Sequence, residues 1–210
     1  MRTEKMLSKE AADHATFLDG AATFQYMPEG DLWDLFRLGD ATAFTYIYAK
    51  YFPLLLNYGH QFTKDHELVK DVIQDLFIYL KEKRTTLGAT TSIRFYLYQA
   101  YRRRIFRYLR KKKNQREGKY ANGYGFEITL SQESIMINSI IDEERRQQLE
   151  KAFNILTRRQ KEILIYYFYE NFSYQEITTV MGFSEVQYAR ILMGRSIAKL
   201  RKHLGALSIN

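Results

Sequence analysis

Two prolines in 210 residues, Pro28 and Pro53, leave long uninterrupted stretches in which apolar residues recur at three and four positions rather than two. That spacing fits helices and not strands, so the expected fold class is all-α. A chain of this length exceeds the common single-domain size, which favours two small domains. With 46% apolar residues it holds enough material for their cores and too much for a disordered chain.

Local signals divide it. Residues 1–30 read as a loose extension ending in the turn signal MPEGD, and helical periodicity starts at Asp31. The first domain, 31–113, is expected to hold helices over roughly 32–62, with a bend near Pro53, then 66–83 and 92–112. The β-branched, Gly-containing run RTTLGATTS at 84–92 forms a loop between the last two. Residues 114–141, rich in Gly, Asn and Ser, read as a flexible linker, and 142–210 as a second domain.

Three capping-box patterns punctuate the second domain: Thr157 to Gln160, Ser173 to Glu176 and Ser184 to Gln187. With Gly182 just before the third, one helix ends and the next begins within a few residues, the spacing of a helix-turn-helix. Its second helix, starting at Glu185, would offer Gln187, Tyr188, Arg190 and Ile191 to base edges. Arg195, Lys199, Arg201 and Lys202 would follow as phosphate contacts, with Ala189, Leu192 and Leu200 turned to the core.

Charge singles out a further element. Between Lys83 and Arg116 stand twelve basic residues and no acid, and RRRIFRYLRKKK at 102–113 places eight cations in twelve positions. A solvated helix, a membrane-surface helix and a nucleic-acid helix all remain open. The tyrosines and the spread of cations to nearly every side favour nucleic acid, where bases stack on rings and guanidinium planes. The net charge of +8 agrees with a polyanionic partner.

Asp71 and Asp75 lie four apart in DVIQDLF, on one helical face. The histidines are scattered, so a protein-binding acidic face, or no role at all, is expected rather than a metal or catalytic pair. No G-x-x-x-x-G-K-[ST], H-E-x-x-H or G-x-S-x-G occurs, and no catalytic residue, metal or cofactor is expected. The absence of cysteine excludes disulfides and thiolate metal sites. No secretory signal and no run near the eighteen or so apolar residues of a membrane span is present, so a cytoplasmic protein without membrane insertion is expected.

In order, GDATAFTYIYAKYFPLLLNYG, DVIQDLFIYL, SIRFYLYQAYRRRIFRYLRKKK and the stretch from LEKAFNILTRRQ to AKLRKHL resemble region 2 and region 4 of a small extracytoplasmic-function (ECF) RNA polymerase sigma factor of the sigma-70 family, of the branch common in Bacteroidota. The resemblance implies a region 2 helical bundle and a region 4 helix-turn-helix. Asp71, Gln74, Asp75 and Phe77 would dock on the β′ clamp helices of core polymerase. Loop 84–92 with Arg94, Tyr96, Arg102, Arg103, Arg104, Arg107, Arg110 and Lys111 would hold and melt the minus-ten element. Gln187, Tyr188, Arg190, Ile191, Arg195 and Lys199 would read the minus-thirty-five element, and the β flap and an anti-sigma factor are implied as partners. Departures from the family's pattern are Tyr96 for a usual Trp, Arg103 for Asn, Arg107 for Asp and Thr157 for Pro. The rival from another class is a stand-alone helix-turn-helix regulator, which would bind its operator without polymerase; an RNA-binding protein is a third.

Overall fold

The computed structural model describes residues 23–116 and 151–207, with side chains as far as Lys111 and Leu204 at the two trailing ends. Residues 1–22 and nearly all of the linker expected at 114–141 lie outside them. All regular structure among the described residues is helical: α1 (Glu29–Leu38), α2 (Ala41–His60), α3 (His66–Lys83), a 3₁₀ turn (Arg84–Thr86), α4 (Ile93–Arg116), α5 (Arg158–Leu164), α6 (Tyr174–Met181) and α7 (Val186–Leu207). They build two compact units. One holds the described residues of Met1–Leu55 and Asp71–Tyr101, the other those of Leu56–Lys70 and Arg102–Asn210, so α2, α3 and α4 each contribute to both.

In the first unit α1 buries Leu32, Trp33 and Phe36. From α2 come Ala43, Ile47, Tyr51 and Leu55, one residue per helical turn; Val72, Ile73, Leu76, Phe77 and Leu80 of α3 and Ile93, Leu97, Tyr98 and Tyr101 of α4 complete the core. Each Val, Leu, Ile or Phe side chain among them stabilises the unit by about 1.5–3 kcal/mol on removal from water.

The single helix expected over 32–62 is two. Gly39, at φ 98°, adopts the left-handed conformation that ends α1, its N–H bonding back to Phe36 O at 3.0 Å. Asp40 then caps α2, its carboxylate accepting from the N–H groups of Thr42 and Ala43, both at 2.8 Å. Pro53 lies inside α2 without ending it. The extension also ends sooner than expected, because Phe24 is buried and its ring lies 5.5 Å from that of Tyr46.

In the second unit the first two capping boxes form. Thr157 N–H donates to Gln160 Oε1 at 2.9 Å and Gln160 N–H returns to Thr157 Oγ1 at 3.4 Å; Ser173 and Glu176 exchange the same bonds at 2.8 and 3.3 Å. After α5 the chain widens into a π-turn over Ile165–Tyr169. Gly182, at φ 67°, closes α6, with Phe183 N–H on Thr178 O at 2.9 Å. The last helix begins at Val186, one residue later than the Ser184 pattern implies, and α7 packs against α5 and α6. This is the helix-turn-helix.

Candidate nucleic-acid interface

Helix α4 starts where three distant groups fix it. Glu29 Oε2 accepts the Ile93 N–H at 2.8 Å, one of the free donors of the helix's first turn, while Glu29 Oε1 accepts from the Tyr51 hydroxyl. Trp33 Nε1 donates to Gly88 O at 2.9 Å and pins the loop that leads into the helix. The Trp33 ring lies 4.9 Å from Tyr96, which is half-buried. Leu97, Tyr101, Ile105 and Leu109 line the buried side of α4, and Arg103, Arg107, Arg110 and Lys111 are exposed along it; Arg94 and Arg104 are partly covered. The four exposed cations recur at helical spacing, a stripe that a phosphate backbone can follow.

Arg102 departs from that stripe. Its Nε donates to Glu162 Oε1 at 2.6 Å and a terminal nitrogen donates to Oε2 at 3.3 Å. Glu162 is fully buried and the Arg102 side chain only 16% exposed. The Tyr166 hydroxyl donates to Glu162 Oε1 at 3.3 Å, which leaves its oxygen to accept from the Tyr58 hydroxyl. Phe106 carries Arg102 on its ring at 4.7 Å and Arg158 at 4.3 Å, and Phe62 packs on it at 5.1 Å. Burial disfavours the Arg102 charge, but the hydrogen bonds and attraction of Glu162 outweigh it and hold the guanidinium protonated. Burial also lowers Arg158, against the attraction of Glu162.

Burial first, then neighbouring charge, pushes the Tyr58 and Tyr166 hydroxyls well above their ordinary value of 10.0. The folded state therefore keeps these protons where the unfolded chain would lose them. Their contribution is complete below about pH 10 and declines as pH rises past it. Urea unfolding midpoints should fall steeply above about pH 10, and less steeply in a Tyr58→Phe variant.

On α7, Gln187, Tyr188, Arg190, Ile191, Arg195 and Lys199 are all exposed, while Ala189, Met193 and Ser196 hold the opposite side in the core. Leu192 and Leu200, expected in the core, are partly covered. Arg190 lies 5.8 Å above the Tyr174 ring, linking the two helices of the motif. Lys199 is engaged, its Nζ donating to Ile155 O at 2.5 Å.

On α3, Asp71, Gln74 and Asp75 are exposed on one face. Phe77, expected beside them, packs inside: it is 3% exposed, with its ring 4.8 Å from Tyr48 and 6.2 Å from Phe44. Helical spacing places it with Ile73 and Leu80 instead. Ile78 and Tyr79 stand exposed in its place at 55% and 39%. Sequence reading also missed Glu29, Trp33 and Glu162, whose bonds span 64, 55 and 60 residues. No local pattern marks such pairs. Among the described residues no three of His, Asp or Glu gather as metal ligands, and no helix is long and apolar enough to cross a membrane.

Comparison with known proteins places this arrangement. Residues 47–115 match Sigma-70 region 2 and residues 152–202 match Sigma-70, region 4, together more than half of the chain. These are the parts of a transcription initiation subunit. The chain belongs to the sigma-70 family and is an RNA polymerase sigma factor. The solved structure of CnrH in complex with the cytosolic domain of CnrY is similar in fold, at 18% identity and a TM-score of 0.57, over 86% of this chain and 99% of that one. No curated protein matches the sequence.

Proposed function

We propose that each half of the chain engages one promoter element while α3 docks on core polymerase. In region 2, the exposed stripe of Arg103, Arg107, Arg110 and Lys111, with Arg94 and Arg104 beside it, tracks the backbone of the minus-ten element as its strands part. Tyr96 and the loop held by Trp33 form the rim where an unstacked base is received, unstacking that costs a few kcal/mol and is offset by stacking and charge. In region 4, Gln187, Tyr188, Arg190 and Ile191 enter the major groove of the minus-thirty-five element and Arg195 contacts phosphate. Lys199, already bonded to Ile155 O, ties α7 to the helix segment ending at residue 154. Asp71, Gln74 and Asp75 meet the β′ clamp helices, with Phe77 supporting them from within, and region 4 meets the β flap.

The observation that carries this reading is the two-sided character of α7: four candidate readers exposed over its first two turns, with Ala189 and Met193 fixing the helix from behind. The subunit is non-catalytic and acts beside the polymerase in the cytosol. CnrH is solved with a second protein, the cytosolic domain of CnrY, which supports the further reading that an anti-sigma partner holds this chain inactive.

Footprinting of the holoenzyme on selected promoters tests the assignment. Protection should cover two elements, and Arg190→Ala should weaken binding by about tenfold or more, a loss of about 1–3 kcal/mol, and relax selection in the upstream element. Protection confined to the downstream element, unchanged by Arg190→Ala, would contradict it. Lys199→Ala should change DNA affinity much less than Arg190→Ala.

A further inference from the structure

Between α5 and α6 the rings of Tyr167, Phe168 and Tyr169 are exposed, although Tyr166 beside them is buried. They belong to the π-turn over Ile165–Tyr169, in which Glu170 N–H bonds to Ile165 O at 3.0 Å, five residues back. Such widened turns recur at functional sites. Asn171 then adopts the left-handed conformation, at φ 52°, and the Ser173–Glu176 capping box fixes the start of α6 at Tyr174. The half-buried Tyr174 ring lies 5.1 Å from that of Tyr167 at 31°, and Tyr167 meets the Phe168 ring edge-on at 5.1 Å. Arg190 of α7 lies 5.8 Å over the Tyr174 ring. Phe168, Tyr167, Tyr174 and Arg190 thus form one row from the π-turn to the exposed side of α7.

We propose that Tyr174 is a positioning residue for Arg190, a shelf that holds the guanidinium on the reading face of α7 before DNA arrives. The inference rests on the reading of Arg190 as a base contact above. An arginine on an open helix face has several rotatable bonds to freeze when it reads a base. A contact already made in the free protein lowers that cost. A ring suits the task where a carboxylate would not. It attracts the cation through its face and leaves the five N–H donors of the guanidinium plane for a base edge, whereas a carboxylate would accept two of them. Lys199, on the same helix, is tied by its donor, Nζ bonding Ile155 O at 2.5 Å; Arg190 is tied by a ring. Tyr167 supplies the second part of the shelf, because its ring packs on Tyr174 and limits how far that ring can turn.

An exposed contact of this kind corresponds to about a two- to fivefold change in binding. Holoenzyme binding to a promoter library randomised in the minus-thirty-five element measures the preference at each position. Arg190→Ala marks the position that Arg190 reads. Tyr174→Leu should weaken binding to the preferred promoter by about threefold and flatten selection at that position alone. Tyr174→Phe, which keeps the ring, should match the wild type. In an Arg190→Ala background Tyr174→Leu should change nothing further, because the shelf then has no arginine to hold. If Tyr174→Leu loses helix, Tyr167→Leu serves as the readout and should flatten the same position. A loss spread evenly over the element, or the same loss with and without Arg190, would overturn the shelf in favour of a purely structural role. Unaltered selection in the usable variant would overturn it too. Arg190→Ala that relaxes no position would overturn the base-reading assignment itself, an outcome seen before any change at Tyr174.

Discussion

Asp75→Arg should abolish stable binding to core polymerase while leaving the fold intact. Asp75 is exposed on α3 beside Asp71 and Gln74, and the buried stripe that holds the helix lies on its other side. A charge reversal there leaves Ile73, Leu76 and Leu80 undisturbed, so the helix content should hardly change. At a docking face the same reversal both removes an attraction and introduces a repulsion. The expected loss is about 3 kcal/mol or more, about a hundredfold in affinity. Co-elution with core polymerase on size exclusion measures it. Retained binding at wild-type affinity would move the docking face elsewhere, with the exposed Ile78 and Tyr79 as the next residues to change.

Trp33→Ala is expected to cause the largest loss of stability. The side chain is fully buried between Phe36, at 5.0 Å, and Tyr96, at 4.9 Å, and its indole N–H serves the Gly88 carbonyl. Truncation leaves a cavity and an unserved carbonyl, and should cost about 3–5 kcal/mol in a denaturant titration followed by circular dichroism. Trp33→Phe keeps most of the packing and loses the hydrogen bond, for about 1 kcal/mol. Its effect should appear chiefly at the loop, as reduced opening of a minus-ten element at an otherwise ordinary core affinity. If promoter opening by Trp33→Phe equals the wild type, the loop's position is not what the indole secures.

Helices, their buried stripes and the helix-turn-helix were legible in the sequence because each depends on residues within one or two turns. Thr157 and Ser173 show this most directly, since both partners of each capping box lie three positions apart. The break in the first long helix was misplaced for a related reason. Proline is the commoner helix breaker, yet Pro53 is tolerated within α2, whereas the left-handed Gly39 followed by the N-cap Asp40 ends one helix and starts another. Phe77 sits beside exposed acids in sequence, but its angular position on the helix turns it inward. Arg102 was indistinguishable from Arg103 in a run of like charges; only the fold supplies Glu162, sixty residues on, to separate them. Glu29, which caps α4 from outside the domain expected to begin at Asp31, was hidden by distance in the same way.

Reconstituted transcription tests the central claim most directly. Core polymerase with this chain should produce transcripts from discrete start sites on a mixed genomic template, each downstream of a shared pair of upstream elements, and Asp75→Arg should remove them. Initiation no more selective than that of core polymerase alone, with a wild-type chain that is folded and a core enzyme that is active, would contradict the account.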